Sequence, residues 1–358
     1  MSVKENNILQ VLKLIAPGTT IRDGLENILK ARTGALILIT DKSEVINQVV
    51  DGGFKIDDDY SASKLYELAK MDGAIVLSGD CKKILFANAQ LIPSYDIPTT
   101  ETGTRHRTAE RTAKQTGELV ISISQRRSII TIFKGNDRHV LEGTDLVLNK
   151  ANQAIKTVER YKKVFDSQLE LLNEYELNDI VILENVLNVL IRAEMVMKMS
   201  EEVQRKIYEL GEDGKIVSLQ LEELIGGIEN EEIMIVKDYI SSNSKLSVNE
   251  VMKKLREMDY EDMNNLGLVA KLLGYESIDK YDEMIVSAKG YRILSKVPRM
   301  PNIIVENVVK KFENLSNVLQ ATTENLDDVD GIGEIRAKSI KNSLTRMREQ
   351  YLFESGIV

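Results

Sequence analysis

The chain has 358 residues, 43% of them hydrophobic, with a net charge of −9 and one cysteine, Cys81. That length gives room for two or three domains with sizeable cores, the lone cysteine excludes an intramolecular disulfide, and the acidic balance excludes a surface coated throughout for nucleic acid. No run approaches the ~18 apolar residues of a membrane span, and no small-residue cleavage site follows the polar start Met1 to Asn7, so the expectation is a cytoplasmic protein without a signal peptide and without a membrane partner.

Residues 1 to 33 read as two helices separated by Pro17-Gly18, with Thr20 as an N-cap, Leu25, Ile28 and Leu29 on one face, and Gly34 as the stop. Ala35 to Thr40 and Val45 to Val50 are short apolar runs between polar boundaries, the pattern of buried strands. Ser61 to Lys70 is helical by spacing and delivers the chain to Asp72-Gly73-Ala74, after which Ile75 to Leu77 and Ile84 to Ala87 pair across Ser78-Gly79-Asp80, with Cys81 in the turn. A loop with Pro93 and Pro98 leads to Glu-Thr-Gly-Thr-Arg-His-Arg-Thr-Ala-Glu-Arg at 101 to 111, which opens a helix reaching Thr116. Then come a strand, Leu119 to Ser124, and a hairpin of Ile129 to Phe133 and Arg138 to Leu141 turning at Gly135-Asn136-Asp137.

From Thr144 to Leu210 the apolar residues stand three and four apart, with few glycines, and residues 145 to 288 contain no proline; this is helix, with turns at Gly211 to Gly214 and Gly226-Gly227 that cut the periodicity too soon for a coiled coil. Ile180 to Ile191 is its most apolar stretch, a buried amphipathic helix, and the charges of the region form a solvated face. The expected architecture is an α/β N-terminal domain (1-145, a mixed sheet flanked by helices), an all-α helical spine (146-287) and a C-terminal domain (288-358). From Ala288 onward eleven Lys and Arg stand against nine Asp and Glu, so nucleic-acid contact belongs at this end.

The Arg-His-Arg helix start is the chemically richest stretch. Thr102, Gly103 and Thr104 offer a turn and a cap, the helix brings free N–H groups and a positive dipole end, and Arg105 and Arg107 add forked donors, which together suit a polyphosphate. Asp72 beside a glycine at a strand edge suits a divalent metal. Ser124-Gln125-Arg126-Arg127 is a second basic group at a strand end, with Arg126 on the opposite face if the strand continues.

Asp72-Gly73-Ala74, Arg105-His106-Arg107 and Ser124 to Arg127, in this order and at this spacing, resemble the motifs of the DNA-integrity-scanning diadenylate cyclase family, and the resemblance extends over essentially the whole chain. It implies condensation of two ATP molecules to cyclic di-AMP with release of two pyrophosphates, using Mg²⁺ or Mn²⁺ held by Asp72. It implies that Arg105 and Arg107 neutralise charge on the phosphates, and that His106 contacts phosphate or ribose or orients the loop. By the same resemblance Gly73 admits the nucleotide to the backbone, Thr104 and Thr108 bond phosphate, Ser124 and Arg127 reach the terminal phosphates, and Leu91 belongs to the adenine pocket. Where family members often carry another arginine after the serine, this chain has Gln125. The resemblance further implies a homo-oligomer, an octamer in which catalytic domains meet in pairs, associated with the nucleoid and acting in DNA damage and repair.

Leu326, Val329-Asp330-Gly331-Ile332-Gly333, Ala337 and Ile340 resemble the helix-hairpin-helix motif, with Gly331, Ile332 and Gly333 presenting backbone N–H groups to a DNA phosphate and Lys338 and Lys341 adding charge. Val297-Pro298-Arg299-Met300-Pro301 with the following helix resembles a degenerate partner lacking the glycines. The DNA implied is branched or junction DNA, read without sequence preference. Two other readings stay open: a metal-dependent nucleotide hydrolase using the same arginines, and a non-catalytic DNA-structure-binding protein that senses ATP. No P-loop is present, which disfavours motor ATPase chemistry.

Overall fold

A short parallel pair lies at the centre of the N-terminal sheet: β1 (Ala35–Ile39) beside β4 (Ala74–Leu77). The structure, a computed structural model, describes residues 10–275 and 280–354, and the polar start Met1 to Asn7 lies outside them. The chain forms two compact units: residues up to Gln153 with Val203–Leu219, and Ala154–Glu202 with Gln220 onward.

In the first unit β2 (Val50–Asp51), β3 (Phe54–Asp59), β5 (Lys83–Leu91), β6 (Leu119–Ser124), β7 (Ile129–Lys134) and β8 (Asp137–Leu141) complete a sheet of order β2-β5-β4-β1-β6-β7-β8, with β3 also on β5. All pairs except β1 with β4 are antiparallel. Side chains alternate between the two faces, as strand geometry requires. Ile37, Ile39, Ile75, Leu77, Ile121 and Ile123 pack with Leu25, Ile28 and Leu65 of helices α2 (Thr20–Lys30) and α4 (Ala62–Leu68); α1 is the helical stretch 10–14 before them. Leu36, Leu38, Val76 and Val120 pack with Val45 and Val49 of α3 (Ser43–Val49) and with Ala109 and Ala113 of α5 (Thr104–Thr116). Both faces of the central strands are therefore covered, which explains their unbroken apolar runs.

Several local expectations change. Val45 to Val49 is helix rather than strand, and only Val50 is in a strand, opening β2: Val45 and Val49 are one turn apart and both buried, so the run satisfies a helical period that its length alone does not reveal. The N-cap of α2 is Thr19, whose hydroxyl accepts from the Arg22 amide at 3.3 Å; Thr20 is the first helical residue. That helix ends at Lys30, and the left-handed turn after it falls on Arg32 (φ 55°), not on Gly34.

The long helical region consists of α6 (Thr144–Asn178) and α7 (Leu183–Leu210), separated at Asp179 (φ 57°), so the apolar stretch from Ile180 enters helix only at Leu183. Ile182 instead forms a single bridge with Ile285. A 3-10 turn (Gly211–Gly214) follows, then α8 (Lys215–Ile225), α9 (Ile228–Tyr239), α10 (Val248–Glu257), α11 (Tyr260–Met263), α12 (Leu266–Leu272), α13 (Tyr291–Ser295), α14 (Asn302–Phe312), α15 (Leu315–Gln320), α16 (Thr323–Asp327) and α17 (Glu334–Glu354). No helix among the described residues is long and apolar enough to cross a membrane.

The charges of the 146-287 region are not all on a solvated face: Glu176 and Asp238 are buried, both partnered by Arg292 from the C-terminal stretch. Arg292 is wholly buried, its guanidinium donating to Glu176 and to Asn173, both at 2.5 Å. Asp238, also buried, accepts from three consecutive amides, those of Gly290, Tyr291 and Arg292. Burial and the neighbouring Glu176 push the Asp238 carboxyl up to about 7, against the pull of Arg292 and of its N–H donors.

Candidate active site at one end of the sheet

The strand registers bring the sequence-distant motifs to a single end of the sheet. Ile37 of β1 is level with Ile75 of β4, Ala35 with Ile123 of β6, and Ala74 with Ala89 of β5. Gly34, Asp72-Gly73, Asn88 and Ser124 therefore share one edge, and α5, lying along one face of the sheet, starts there too: its residue His106 reaches Ser122 of β6.

Gly103 is the N-cap of α5, and neither it nor a neighbouring threonine supplies a side-chain cap. The first-turn N–H groups and the positive end of the helix dipole are left available to an anion. Arg107 is exposed, Thr104 is exposed and Thr108 half-buried. Arg105 leans back across the edge of the sheet toward Gly34, where a Cβ would collide with its guanidinium, and its Nη2 lies 3.9 Å from Oδ1 of the fully exposed Asp72. Gly34, expected from the sequence as a helix stop, instead makes room for the Arg105 guanidinium. A glycine entering a buried strand was the available signal, since such a residue often marks a close approach.

The glycine of Asp72-Gly73 has a different geometric reason from the one implied above. A Cβ there would meet the backbone of Asn88 and Ala89, and the Gly73 amide donates to Asn88 Oδ1 at 3.1 Å, so its bareness serves strand-to-strand approach. Leu91 is almost wholly buried in the apolar layer beneath α5, paired with Val50.

β6 stops at Ser124 and the chain turns over the next four residues, with the Arg127 amide donating to Ser124 Oγ at 3.2 Å and the Ser128 amide to the Ser124 carbonyl at 2.9 Å. Because the strand does not continue, Arg126 is not sent to the other face: both Arg126 and Arg127 line a cavity of about 220 Å³ together with Glu101, Thr102, Gly103, His106 and Ser124.

The polar loop before α5 is laced along that helix, which periodicity did not disclose. Gln115 accepts from the Ser94 amide at 2.8 Å, Arg111 donates to the Ile97 carbonyl at 2.9 Å and Lys114 to the Pro98 carbonyl at 3.0 Å. Glu110 receives the Thr99 hydroxyl and, at 3.1 Å, the Thr100 amide. Burial works to raise the Glu110 pKa, but the bonds from Lys114, Thr99 and Thr100 outweigh it and leave it lowered, so this anchor stays ionised.

Among the described residues no three His, Cys, Asp or Glu gather into a metal cage. A lone exposed carboxylate such as Asp72 fits an ion whose other positions are filled by phosphate oxygens and water, the usual manner of Mg²⁺ at a nucleotide.

A second candidate surface lies in the C-terminal helices. Gly331 has φ 81°, and a Cβ on it would strike Ile304; Gly333 faces open space. The α13–α14 and α16–α17 pairs repeat at constant offset: Leu294 and Leu326, Val297 and Val329, and Val308 and Ile340 are buried equivalents, and Arg299 (φ 59°) takes the left-handed position that Gly331 takes in the second pair. The two turns face a common cavity of about 610 Å³ lined by Pro298, Arg299, Gly333, Glu334, Ile335, Arg336 and Ser339. Ile332 is buried and Lys338 pairs with Glu334 at 2.5 Å. Lys341 is not a free charge: its ammonium donates to the carbonyls of Leu319 and Ala321 at 2.8 and 2.7 Å, finishing α15.

Comparison with known proteins places these features in context. Residues 22–138 match the family model described as DisA bacterial checkpoint controller nucleotide-binding, and residues 141–281 match the DisA bacterial checkpoint controller linker region. The chain is 50% identical over 352 residues to the DNA integrity scanning protein DisA of Acetivibrio thermocellus, covering 98% of this chain and 97% of that protein. It is 51% identical over 351 residues to the counterpart in Clostridioides difficile, covering 98% of each. To that of Carboxydothermus hydrogenoformans it is 49% identical over 348 residues, covering 97% of this chain and 99% of the other.

Proposed function

The chain belongs to the DNA integrity scanning protein DisA family, and from that premise we propose that it is a diadenylate cyclase, condensing two ATP molecules into cyclic di-AMP and two pyrophosphates under the control of branched DNA. The observation that carries this reading is the uncapped start of α5, whose first turn carries Arg105 and Arg107, opening at one end of the sheet on a cavity lined by Arg126 and Arg127, with Arg105 3.9 Å from Asp72.

Each 3′-hydroxyl attacks the α-phosphorus of the other nucleotide: a new O–P bond forms, the hydroxyl proton passes to water, the bond to the β-phosphate oxygen breaks in line, and pyrophosphate leaves with the charge. Arg105 and Arg107 stabilise that charge, Arg127 and Ser124 bind the terminal phosphates, and Arg126 supplies a cation near the place where Gln125 lacks one. Thr104 and Thr108 bond phosphate oxygens, while Gly73 and Leu91 shape the strand edge beside the base. Asp72 would hold Mg²⁺ or Mn²⁺, which when bound neutralises phosphate oxygens and acidifies the attacking hydroxyl. One site holds one ATP, so two catalytic domains have to meet, and a homo-oligomer, an octamer in the proposed assembly, is part of the mechanism. Holding both nucleotides in attack geometry contributes roughly 7–11 kcal/mol.

In the same proposal the chain divides into a cyclase domain (1-145), a helical spine (146-287) and a helix-hairpin-helix domain (288-358). Gly331, Ile332, Gly333 and Lys338 form part of a surface that takes DNA phosphates without reading sequence. Incubation with ATP and Mg²⁺ or Mn²⁺, with the nucleotides identified by mass, tests the cyclase: a cyclic dinucleotide supports it, and ADP or AMP would make the protein a hydrolase. Asp72→Asn should abolish product while sedimentation stays unchanged. Replacing Gly331 and Gly333 with bulky residues should remove junction-DNA binding and inhibition together.

A further inference from the structure

The middle residue of Arg105-His106-Arg107 does not point where its neighbours do. The buried residues of α5 are His106, Ala109, Glu110, Thr112 and Ala113; all but Thr112 form the helical i, i+3, i+4, i+7 set, and His106 is its first member. Successive helix residues are turned by about 100°, so an inward His106 throws Arg105 and Arg107 to either side of it. Its ring stands edge-on to Phe133, with centroids 6.3 Å apart. Nδ1 lies 3.1 Å from Oγ of Ser122, which is itself wholly buried in β6, while Nε2 is buried without a protein partner.

We infer that His106 and Ser122 are positioning residues: a neutral imidazole bolts the first turn of α5 to β6 and thereby aims Arg105 and Arg107, and no proton passes through it during the reaction. This rests on the nucleotide reading of the site. The ring suits the role because its charged form is disfavoured: burial lowers its pKa first, Arg127 and Arg138 add to that, and Glu101, the one facing acid, opposes them. Ser122 is the new assignment. Strand alternation places it on the α5 side of β6, at the depth of the first helical turn, and its hydroxyl bonds the imidazole there.

Three measurements test it. Asparagine reproduces the Nδ1 position of histidine, so His106→Asn should keep the Ser122 bond and retain kcat within about tenfold, whereas Ser122→Ala should lose roughly 10²-fold, the scale of an ångström misplacement of catalytic groups. The double variant should be no worse than Ser122→Ala, with the pH–rate profile unchanged in shape throughout. Should either variant fail to fold, the wild type still decides: in ¹⁵N-histidine-labelled protein His106 should remain neutral, with one fixed tautomer, from pH 7 to 9, with and without ATP. A folded His106→Asn that loses more than 10³ in kcat, a pH limb that disappears with it, or an imidazole that takes up a proton on adding ATP would overturn the inference. If wild-type protein makes no dinucleotide, the cyclase reading fails, and the histidine titration still shows whether the bolt exists.

Discussion

Among the helices that begin beside a glycine, α13 and α5 are completed in opposite ways. At α13 the amides of Gly290, Tyr291 and Arg292 are taken up by Asp238, a carboxylate reaching in from α9 at 2.7, 2.7 and 3.0 Å, and the helix start is sealed in the core. At α5 no side chain caps Gly103, and arginines gather around the opening instead. A positive helix end attracts negative charge in both places. Where the protein provides the carboxyl oxygens itself, ionised only above about pH 7, the result is structure; where it surrounds the opening with cations, the anion has to come from outside. The same physics thus separates a structural node from a ligand site, and substitutions at the two should fall in different assays.

The largest effect is expected at the sealed end. Arg292→Ala leaves Glu176 buried without its cation, and losing one partner of such a pair costs about 3–5 kcal/mol, to be read in chemical denaturation. A loss below 1 kcal/mol would mean that the node is not holding α13 in place. Arg107→Ala, at the open end, should do the reverse: unchanged denaturation and a fall of roughly 10²–10³ in kcat, equivalent to ~2.7–4 kcal/mol of charge stabilisation. If kcat and KM both move less than threefold, this arginine lies outside the site.

Gly34→Ala sharpens the contrast. The new methyl displaces the Arg105 guanidinium, the far end of a flexible side chain, and comes 3.1 Å from the Ile123 carbonyl oxygen, so stability should fall by at most ~1 kcal/mol while turnover drops ~10–10²-fold. Equal activity would show that Arg105 reaches substrate from another position.

Asp238→Asn should cost the least, about 0.5–2 kcal/mol, the range for a lost N-cap, because the amide nitrogen would face the Arg292 N–H donor to donor. Its sign with pH is unusual for a carboxylate. The folded value of about 7 lies above the ordinary 3.8, so the folded state binds this proton more tightly; the contribution is fully present below the unfolded value and is lost as pH rises toward 7. The stability advantage of wild type over Asp238→Asn should therefore be larger at pH 5 than at pH 8. Denaturation curves at the two values check it, and an unchanged gap would mean that the carboxylate does not titrate in this window.

The sequence by itself determined what depends on near neighbours along the chain. The buried strands around Ile37, Val76 and Ile121 follow from unbroken apolar runs, the hairpin at Gly135-Asn136 from its turn residues, and the helices after Thr144 from spacing. The motifs at Asp72, Arg105 to Arg107 and Ser124 to Arg127 were legible as residue types suited to phosphate. What remained hidden depends on partners far away in sequence. Val45 to Val49 is short enough to satisfy either period, and only the apolar layer beside β1 selects helix. Gly34 matters because the sheet order places β1 between β4 and β6, which lays Arg105 across its bare Cα. Arg126 joins Arg127 because β6 ends at Ser124, two residues short of the Arg126 that the alternation argument needs it to reach. The solvated face expected for the charges of the helical region fails at Glu176 and Asp238, since a charge pattern on one helix does not say whether another helix covers it. Tertiary structure alone decided these points: strand register and helix packing set which groups meet through space, and local periodicity carries no record of either.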